Sequence, residues 1–265
     1  MTDVTTDDAT ADCDVLVAGG GVSGLTAATY TARAGLRTLV VSGEESILRR
    51  NAHLENFPGF PAGVNPRLFA DMLRDQAGRN GAELVGGTVE DLAGTEGEFV
   101  ATLSDGRTVT AARVVAASWS DADYLDGLGV EIRDAGSKRY VAVDGVGRTS
   151  VAGVYVAGRL AEKYHQAVVA AGHGAEAGIT LVHDAEVPYY HDWVAPEGYF
   201  TDRGREVPPG CEEIDAGERD HREAESRETM REYFAEPHDQ RQRTHPSLVD
   251  DERGRVDADW EGDDG

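Results

Sequence analysis

The sequence predicts an α/β protein: a parallel sheet carrying a hairpin insertion, built as a single domain, followed by a polar C-terminal extension. Three observations carry this. CDVLVA, GGGVSG and LRTLVV set out strand, glycine turn, helix and strand within about thirty residues, a β-α-β unit whose strands run parallel through a right-handed crossover. Asp105-Gly106 lies between two strand-like runs and is a strong hairpin signal. After about Pro188 the apolar periodicity gives way to aromatic and then charged segments.

The elements follow in order. Cys13–Ala18 reads as a buried strand. Leu25–Ala34 reads as a helix that Gly35 ends, and Leu36–Val41 as the second strand. Asn65-Pro66 opens a helix reaching about Asn80, because Asn caps and proline suits the first turn. Glu98–Leu103 and Arg107–Thr110 form the hairpin, and Arg113–Ala117, Tyr140–Val143 and Val154–Ala157 are further short strands. Ala161–His183 reads as one long helix, apolar at Ala167, Val168, Ala171, Ile179 and Val182. These place a domain at 13–187, behind an acidic arm at 1–12 expected to be disordered. The extension, 188–265, holds the aromatic stretch Tyr189–Trp193, expected to pack against the domain. It also holds a charged helix at Glu218–Glu236, with a Glu223–Arg227 pair and a small apolar patch of Met230, Tyr233 and Phe234. VDADWEGDDG at the end reads as disordered. There is no internal repeat.

Charge narrows the partners. Acids number 49 against 25 Lys+Arg, for a net charge of −24, and only Lys138 and Lys163 are lysines. Such a surface repels nucleic acid and anionic lipid, so neither is expected as a partner. The lysine-poor, acid-rich balance resembles that of salt-adapted (halophilic) cytosolic proteins. No apolar run is long enough to span a bilayer, and no signal peptide is legible at the N-terminus, so a cytoplasmic location is expected. Cys13 and Cys211 stand far apart. No CxxC occurs, so neither a redox dithiol nor a zinc knuckle is signalled.

Gly19, Gly21 and Gly24 form G-x-G-x-x-G between a strand and a helix, the context this motif requires. Gly19 permits the tight turn, Gly21 clears room for a pyrophosphate, and Gly24 lets helix and strand approach. The free N–H groups and dipole of the helix then attract phosphate. An acid is expected at the end of the second strand to hold ribose hydroxyls. Ser42 stands there instead, with Glu44 and Glu45 close by. A single hydrogen bond from Ser42, a reach-round by Glu44 or Glu45, and a merely solvated acidic loop are all open.

Three long stretches then carry a family resemblance: DVLVAGGGVSGLTAATYTARAGLRTLVV, LENFPGFPAGVNPRLFADMLRDQAGRNGAEL and RTSVAGVYVAGRLAEKYHQAVVAAGHGAEAG. In sequence and in order, the chain resembles the thioredoxin reductase-like flavoproteins over most of residues 13–183. The resemblance implies a three-layer FAD/NAD(P)-binding Rossmann-like fold with FAD as cofactor. It implies FAD bound at the G-x-G-x-x-G, over Gly19, Gly20, Gly21, Ser23 and Gly24, while Ser42 and Glu44 stay the open candidates for the ribose read from the residues themselves. Asn56 would lie near the flavin ring, Gly158 and Arg159 at the ribityl and phosphate, and Gln166 and Ala167 at the ring. Family members commonly dimerise, so a homodimer is among the states it allows.

The chain also departs from that family. RVVAA runs through residues 118–126 into a segment resembling the one that follows the family's NADPH domain, so that domain reads as deleted there. The CxxC is missing. Ile47–Arg50 stands where GGQ is usual, Ala117-Ser118 stands for A-T-G, and Arg159 for an acid. Arg159, Arg49 and Arg50 read as a cationic rim for pyrophosphate. For Arg159 the competing readings are a solvent-facing side chain or a pair with Glu162. His53, His165 and His173 are acid/base candidates near the ring, with ordinary surface or packing roles as the alternative. His183, Asp184, His191 and Asp192 are too loosely spaced for a recognised metal site. The expected function is an FAD-dependent oxidoreductase exchanging electrons with a small reductant or partner protein, its catalytic residues unassigned. A non-catalytic FAD-fold nucleotide-binding or interaction module is the alternative, and a site for NAD(P)H a third reading.

Overall fold

The computed structural model describes residues 11–43, 46–189 and 191–240. Glu44, Glu45 and the VDADWEGDDG tail lie outside them, as does the acidic arm up to Thr10. Asp12 is already tied down, its amide donating to Thr110 Oγ1 at 2.9 Å and its carboxylate accepting from the Thr110 amide.

The chain runs through β1 (Cys13–Ala18), α1 (Val22–Arg33), β2 (Thr38–Val41), α2 (Pro66–Arg79), β3 (Glu83–Val85), β4 (Val89–Thr95), β5 (Glu98–Leu103), β6 (Thr108–Ala116), β7 (Ile132–Ala135), β8 (Lys138–Val141), β9 (Val154–Val156) and α3 (Ala167–Asp184). Beyond these come β10 (Trp193–Pro196), β11 (Cys211–Ile214) and α4 (Ala216–Tyr233). Seven strands form one sheet in the order β3-β2-β1-β6-β5-β4, with β9 also on β6. The β3, β2, β1, β6 and β9 pairings are all parallel, while β4, β5 and the start of β6 form an antiparallel meander.

Strand β6 joins the two systems. Its residues 108–111 pair with β5, and residues 114–116 take β9 on that same edge, while 111–116 pair with β1. The two short strands expected at Arg107–Thr110 and Arg113–Ala117 are therefore one continuous strand that changes partner. Burial on both faces follows the alternation of the pleat. Val15, Val17, Val40 and Val115 pack under α1 and α3 with Leu25, Ala28, Ala177 and Leu181. Leu16, Ala18, Val114 and Val156 pack on the other side with Leu92, Phe99 and Leu125, under the meander. The result is three layers.

Several elements differ from expectation. Helix α1 begins at Val22 rather than Leu25, since the motif's last residues already form its first turn. The long helix at Ala161–His183 is two pieces: a short 3-10 turn at Gly158–Ala161, then α3 from Ala167. Glu162, at φ 58, breaks the run. Its inward face is Gly174, Ala177, Gly178 and Leu181 more than the apolar set expected, and Val168 is 39% exposed. Strands β3, β4 and β7 were not legible, being short or acidic.

In the extension, β10 and β11 pair in parallel, and Glu213 on β11 accepts from the amides of Gly198, Phe200 and Thr201. Asp192 takes a two-pronged contact from Arg33 on α1 at 2.5 Å. Helix α4 is capped by Asp215 and touches α2 through side chains, with Tyr233 donating to Asp75 at 2.6 Å and Arg79 reaching Glu225. The expected Glu223–Arg227 ion pair is replaced by a bond from Arg227 to the Glu223 carbonyl, and Arg222 pairs with Glu218 and Glu212. Met230 and Phe234 stay 37% and 50% exposed.

The α1–α3 contact gives a test. A β-carbon on Gly174 would lie 2.2 Å from the Ser23 carbonyl oxygen, while one on Gly172 meets nothing within 4 Å. Gly174→Ala should cost about 2–3 kcal/mol by overpacking. Gly172→Ala, exposed on the same helix, should be neutral or stabilising by up to about 1 kcal/mol. Denaturant midpoints of the two variants against the parent check both.

Candidate functional site

The turn after β1 is shaped by what its neighbours forbid. Gly19 has φ 119, a conformation that β-carbon-bearing residues rarely adopt, and a β-carbon there would lie 2.6 Å from the Ala117 carbonyl. A β-carbon on Gly20 would meet Ser42 at 2.5 Å, and one on Gly24 would meet the Gly19 carbonyl at 1.9 Å. Gly21 differs: a β-carbon there meets nothing nearer than Ser46 Oγ at 3.7 Å. A side chain at 21 would grow into open space.

That space is a cavity of about 940 Å³. It runs from the ends of β1 and β2, past Gly87 and Thr88, to the segment Asn51–Asn56 and the start of α3. This is at the upper end of the size of ligand pockets. It opens beyond the carboxyl ends of β1, β2 and β6, where parallel sheets place their ligands.

Among the described residues two α-helices begin on its wall, and both begin uncapped, whereas the short 3-10 turn Ile47–Arg50 there is capped by Ser46. Helix α1 starts after Gly21 and α3 after Gln166, neither with a side-chain cap. Helix α2 is capped by the Asn65 side chain and α4 by that of Asp215, and neither of those caps lines the cavity. First-turn N–H groups have no partner within their own helix, so the uncapped pair leaves donors and positive dipole ends facing one cavity. An elongated anion with hydrogen-bonding groups fits this chemistry.

The expected site residues are mostly gathered here. Gly19, Gly20, Gly21, Ser23, Ser42, Asn56, Arg159, Gln166 and Ala167 all line the cavity. Asn56 Nδ2 donates to Gln166 Oε1 at 2.7 Å, joining two segments 110 residues apart. Gly24 stands off the wall, where its role is close packing. Gly158 is also off the wall, its amide donating to His173 Nδ1 at 2.9 Å. Glu44 lies outside the described residues.

The cationic rim is only partly formed. Arg50 and Arg159 line the cavity, but Arg49 turns to Asp71 and Gln240. Arg67, buried behind them, donates to the carbonyls of Arg49 and Asn51 and holds this segment in place. Arg159 neither points to solvent nor pairs with Glu162, which pairs with Arg133. Its guanidinium donates to Tyr140 Oη at 2.6 Å and to the Lys163 carbonyl at 3.0 Å, and lies 4.9 Å from the Tyr140 ring centre.

The histidines separate. His53 lies on the wall beside Glu55. His165 lies there against Trp119, ring centres 4.4 Å apart, its pKa held low by partial burial and then by Arg159 and Lys138. His173 is 4% exposed and off the wall; burial, and then Lys163, pushes its pKa down to about 4. Its Nδ1 accepts from Gly158, so the proton of the neutral ring sits on Nε2, which has no hydrogen-bond partner among the described residues. Asp184 is taken by Arg148 and Tyr155, and Asp192 by Arg33. Cys13 and Cys211 are both free thiols, and burial pushes the Cys13 thiol up to about 12.

Wall residues that sequence reasoning missed include Trp119, Thr88 and Tyr164, while Ser118 was noted only as a departure from the family's A-T-G. No periodicity or motif marks the three, because each sits in a loop.

The His173 geometry sets a pH dependence. The folded pKa lies below the ordinary value near 6.5, so the folded chain resists a proton that the unfolded chain accepts. Its contribution to stability is full above about 6.5 and declines as pH falls towards about 4. His165, also held low, adds to this slope. Denaturation midpoints measured between about pH 7 and pH 4 should fall with pH, and His173→Asn should flatten part of that fall.

Comparison with known proteins follows the site. Residues 13–174 match the family model described as pyridine nucleotide-disulphide oxidoreductase. The NADPH-dependent thioredoxin reductase 3 of Arabidopsis thaliana is 38% identical over 98 residues, covering 35% of this chain and 18% of that protein. A thioredoxin reductase of Streptomyces coelicolor is 44% identical over 75 residues (27% and 23%), and one of Listeria monocytogenes 31% over 134 residues (49% and 41%). The chain thus spans less than half the length of these curated relatives. An oxidoreductase from Agrobacterium tumefaciens superposes with a TM-score of 0.60 at 18% identity, covering 66% of this chain and 99% of that one. The thioredoxin reductase from Giardia duodenalis superposes at 0.56 with 17% identity, covering 66% and 99%. At such identities these two speak for the fold alone.

Proposed function

Because the chain belongs to the pyridine nucleotide-disulphide oxidoreductase family, in its thioredoxin reductase-like branch, we propose that its cavity binds FAD and that the protein is a flavin oxidoreductase served by an external electron donor and acceptor. The observation that carries this reading is the pair of uncapped helix N-termini, α1 and α3, facing one elongated cavity whose turn at Gly21 leaves space for a ligand.

The residues fit the group. Backbone amides from Val22 to Gly24 would hold the pyrophosphate, with Gly21 keeping the approach clear and Arg159 contributing a guanidinium from the wall. Ser42 would offer a hydroxyl to the ribose. Asn56 and Gln166, already bonded to each other, leave a carbonyl and an amide for the polar edge of the ring. Bound flavin supplies reversible one- or two-electron chemistry. The protein's part is to orient it and leave one end accessible.

External partners are proposed from what surrounds the cavity. Strand β6 passes through residues 117–131 to β7 with no second parallel sheet between them among the described residues, which supports loss of the NADPH domain. The two thiols do not meet: Cys13 is buried at the start of β1 and Cys211 sits on β11. A disulfide exchanging electrons here would come from another protein.

Denaturing release should yield FAD from the purified chain after loading, and the folded protein should show bound-flavin absorbance. Gly21→Val, whose β-carbon meets nothing nearer than Ser46 Oγ at 3.7 Å, should weaken FAD binding at least tenfold, about 1.4 kcal/mol or more. A folded parent protein that stays colourless in excess FAD sinks the reading. Flavin that binds, is reduced by dithionite and is reoxidised by no acceptor would leave the non-catalytic module in its place.

A further inference from the structure

One buried imidazole stands just behind the cavity wall. His173 lies on α3 one turn beyond Ala170, which lines the cavity, and is itself buried. Its Nε2–H has no hydrogen-bond partner among the described residues. A buried donor without a partner is costly, so an apolar side chain here would be cheaper. What the imidazole offers in return is its other nitrogen: Nδ1 accepts from the Gly158 amide at 2.9 Å.

Gly158 is fixed from several sides. A β-carbon there would lie 2.5 Å from Ser23 Oγ on α1 and 3.9 Å from the Ala170 β-carbon on α3. Its carbonyl accepts from the Lys163 amide at 3.4 Å, which closes the turn, and its amide goes to His173. Ser23, Arg159 and Ala170, one from each of the three segments that meet here, all line the cavity. Arg159 therefore starts from the point that His173 holds, and its guanidinium then reaches Tyr140 and the Lys163 carbonyl. Only a neutral imidazole keeps the lone pair that accepts from Gly158. Burial keeps the ring neutral, and Lys163 adds to that effect. Asp144 opposes it, but that carboxylate is engaged by the amides of Val146 and Arg148 and by the Arg148 guanidinium. Helix α1 brings no ionisable group between Val22 and Thr29, and Glu176 on α3 is exposed.

We infer that His173 is a positioning residue for the cofactor: by holding the Gly158 amide it fixes where the Gly158–Arg159 segment meets the bound dinucleotide. It lies off the cavity wall and acts through Arg159. Without the acceptor the Gly158 amide is buried and unpartnered, so the turn must shift to satisfy it, and Arg159 shifts with the turn. The inference rests on the cavity holding FAD and adds the residue that sets one of its contacts from behind.

The test measures FAD affinity of the full chain by isothermal titration at neutral pH. His173→Leu puts a carbon where the imidazole has Nδ1 and should weaken FAD about tenfold. His173→Asn puts its Oδ1 there and should stay within about twofold of the parent. Arg159→Ala should itself weaken FAD about tenfold, and in that background His173→Leu should cost no more than about a further twofold, because residues that act through one another are not additive. A merely structural role for His173 predicts the same loss in both backgrounds. His173→Ala, which also removes the acceptor, takes the place of His173→Leu if denaturant midpoints show that the leucine variant does not fold. Additive losses, an asparagine variant as weak as the leucine one, or full affinity without the acceptor overturns the inference. A folded parent that binds no FAD strikes the reading of the cavity and this inference with it, whereas a parent that binds FAD and shows additive losses strikes this inference alone.

Discussion

A β-carbon at Gly24 would sit 1.9 Å from the Gly19 carbonyl, and one at Gly174 would sit 2.2 Å from that of Ser23. Backbone lies on backbone at both points, and this close approach decides how α1, α3 and the end of β1 are assembled. Helix α1 can begin directly over the strand end only because Gly24 is bare. Helix α3 can lie against α1 only because Gly174, over Ser23 of the first turn, and Gly178, over Ala27, are bare. Once both helices are so placed, both N-termini open on one space, and the cavity is a consequence of the packing. Interior packing leaves little room to relax, so the glycines here act as shape rather than as flexibility.

The outer parts of the molecule reinforce the same region. The segment Ile47–Arg50 supplies Ile47, Leu48 and Arg50 to the wall, and Arg67 on α2 ties it down through the Arg49 and Asn51 carbonyls. Asp71, on that helix, holds both Arg49 and His238. Tyr233 and Glu225 of α4 contact α2 as well. The extension is therefore built onto the helix that steadies one side of the cavity. Single exposed ion pairs contribute little each, but a buried guanidinium holding two carbonyls is a stronger restraint.

Much of this was legible without coordinates because it depends on short-range pattern. The β-α-β unit follows from CDVLVA, GGGVSG and LRTLVV, whose glycine turn and apolar runs admit few other arrangements. The caps at Asn65 and Asp215 belong to the same class, although only the first was read. The hairpin at Asp105-Gly106 was clear, yet the strand behind it was divided in two, since a change of pairing partner along β6 leaves no mark in its side chains. Glu162 broke an apparent helix for a related reason: 3.6-residue periodicity in Ala161–His183 continues across a turn whose side chains find their partners in Arg133 and Tyr140, distant in sequence.

The site divides along the same line. Backbone chemistry at Gly19, Gly21 and Gly24 is written locally, because the absence of a side chain is itself the signal. The roles of Arg159, Arg49 and Trp119 are not, because a long or aromatic side chain goes where its partners stand. Arg159 found Tyr140, Arg49 found Asp71, and Trp119 found His165. The one-dimensional pattern was enough for the β-α-β unit, the glycine turn and the excess of acid. Tertiary packing alone decided that two uncapped helices share a cavity, that Asn56 meets Gln166, and that Trp119 meets His165 on its wall. Those arrangements depend on contacts between residues tens to more than a hundred positions apart, and such contacts carry no period that a sequence can show.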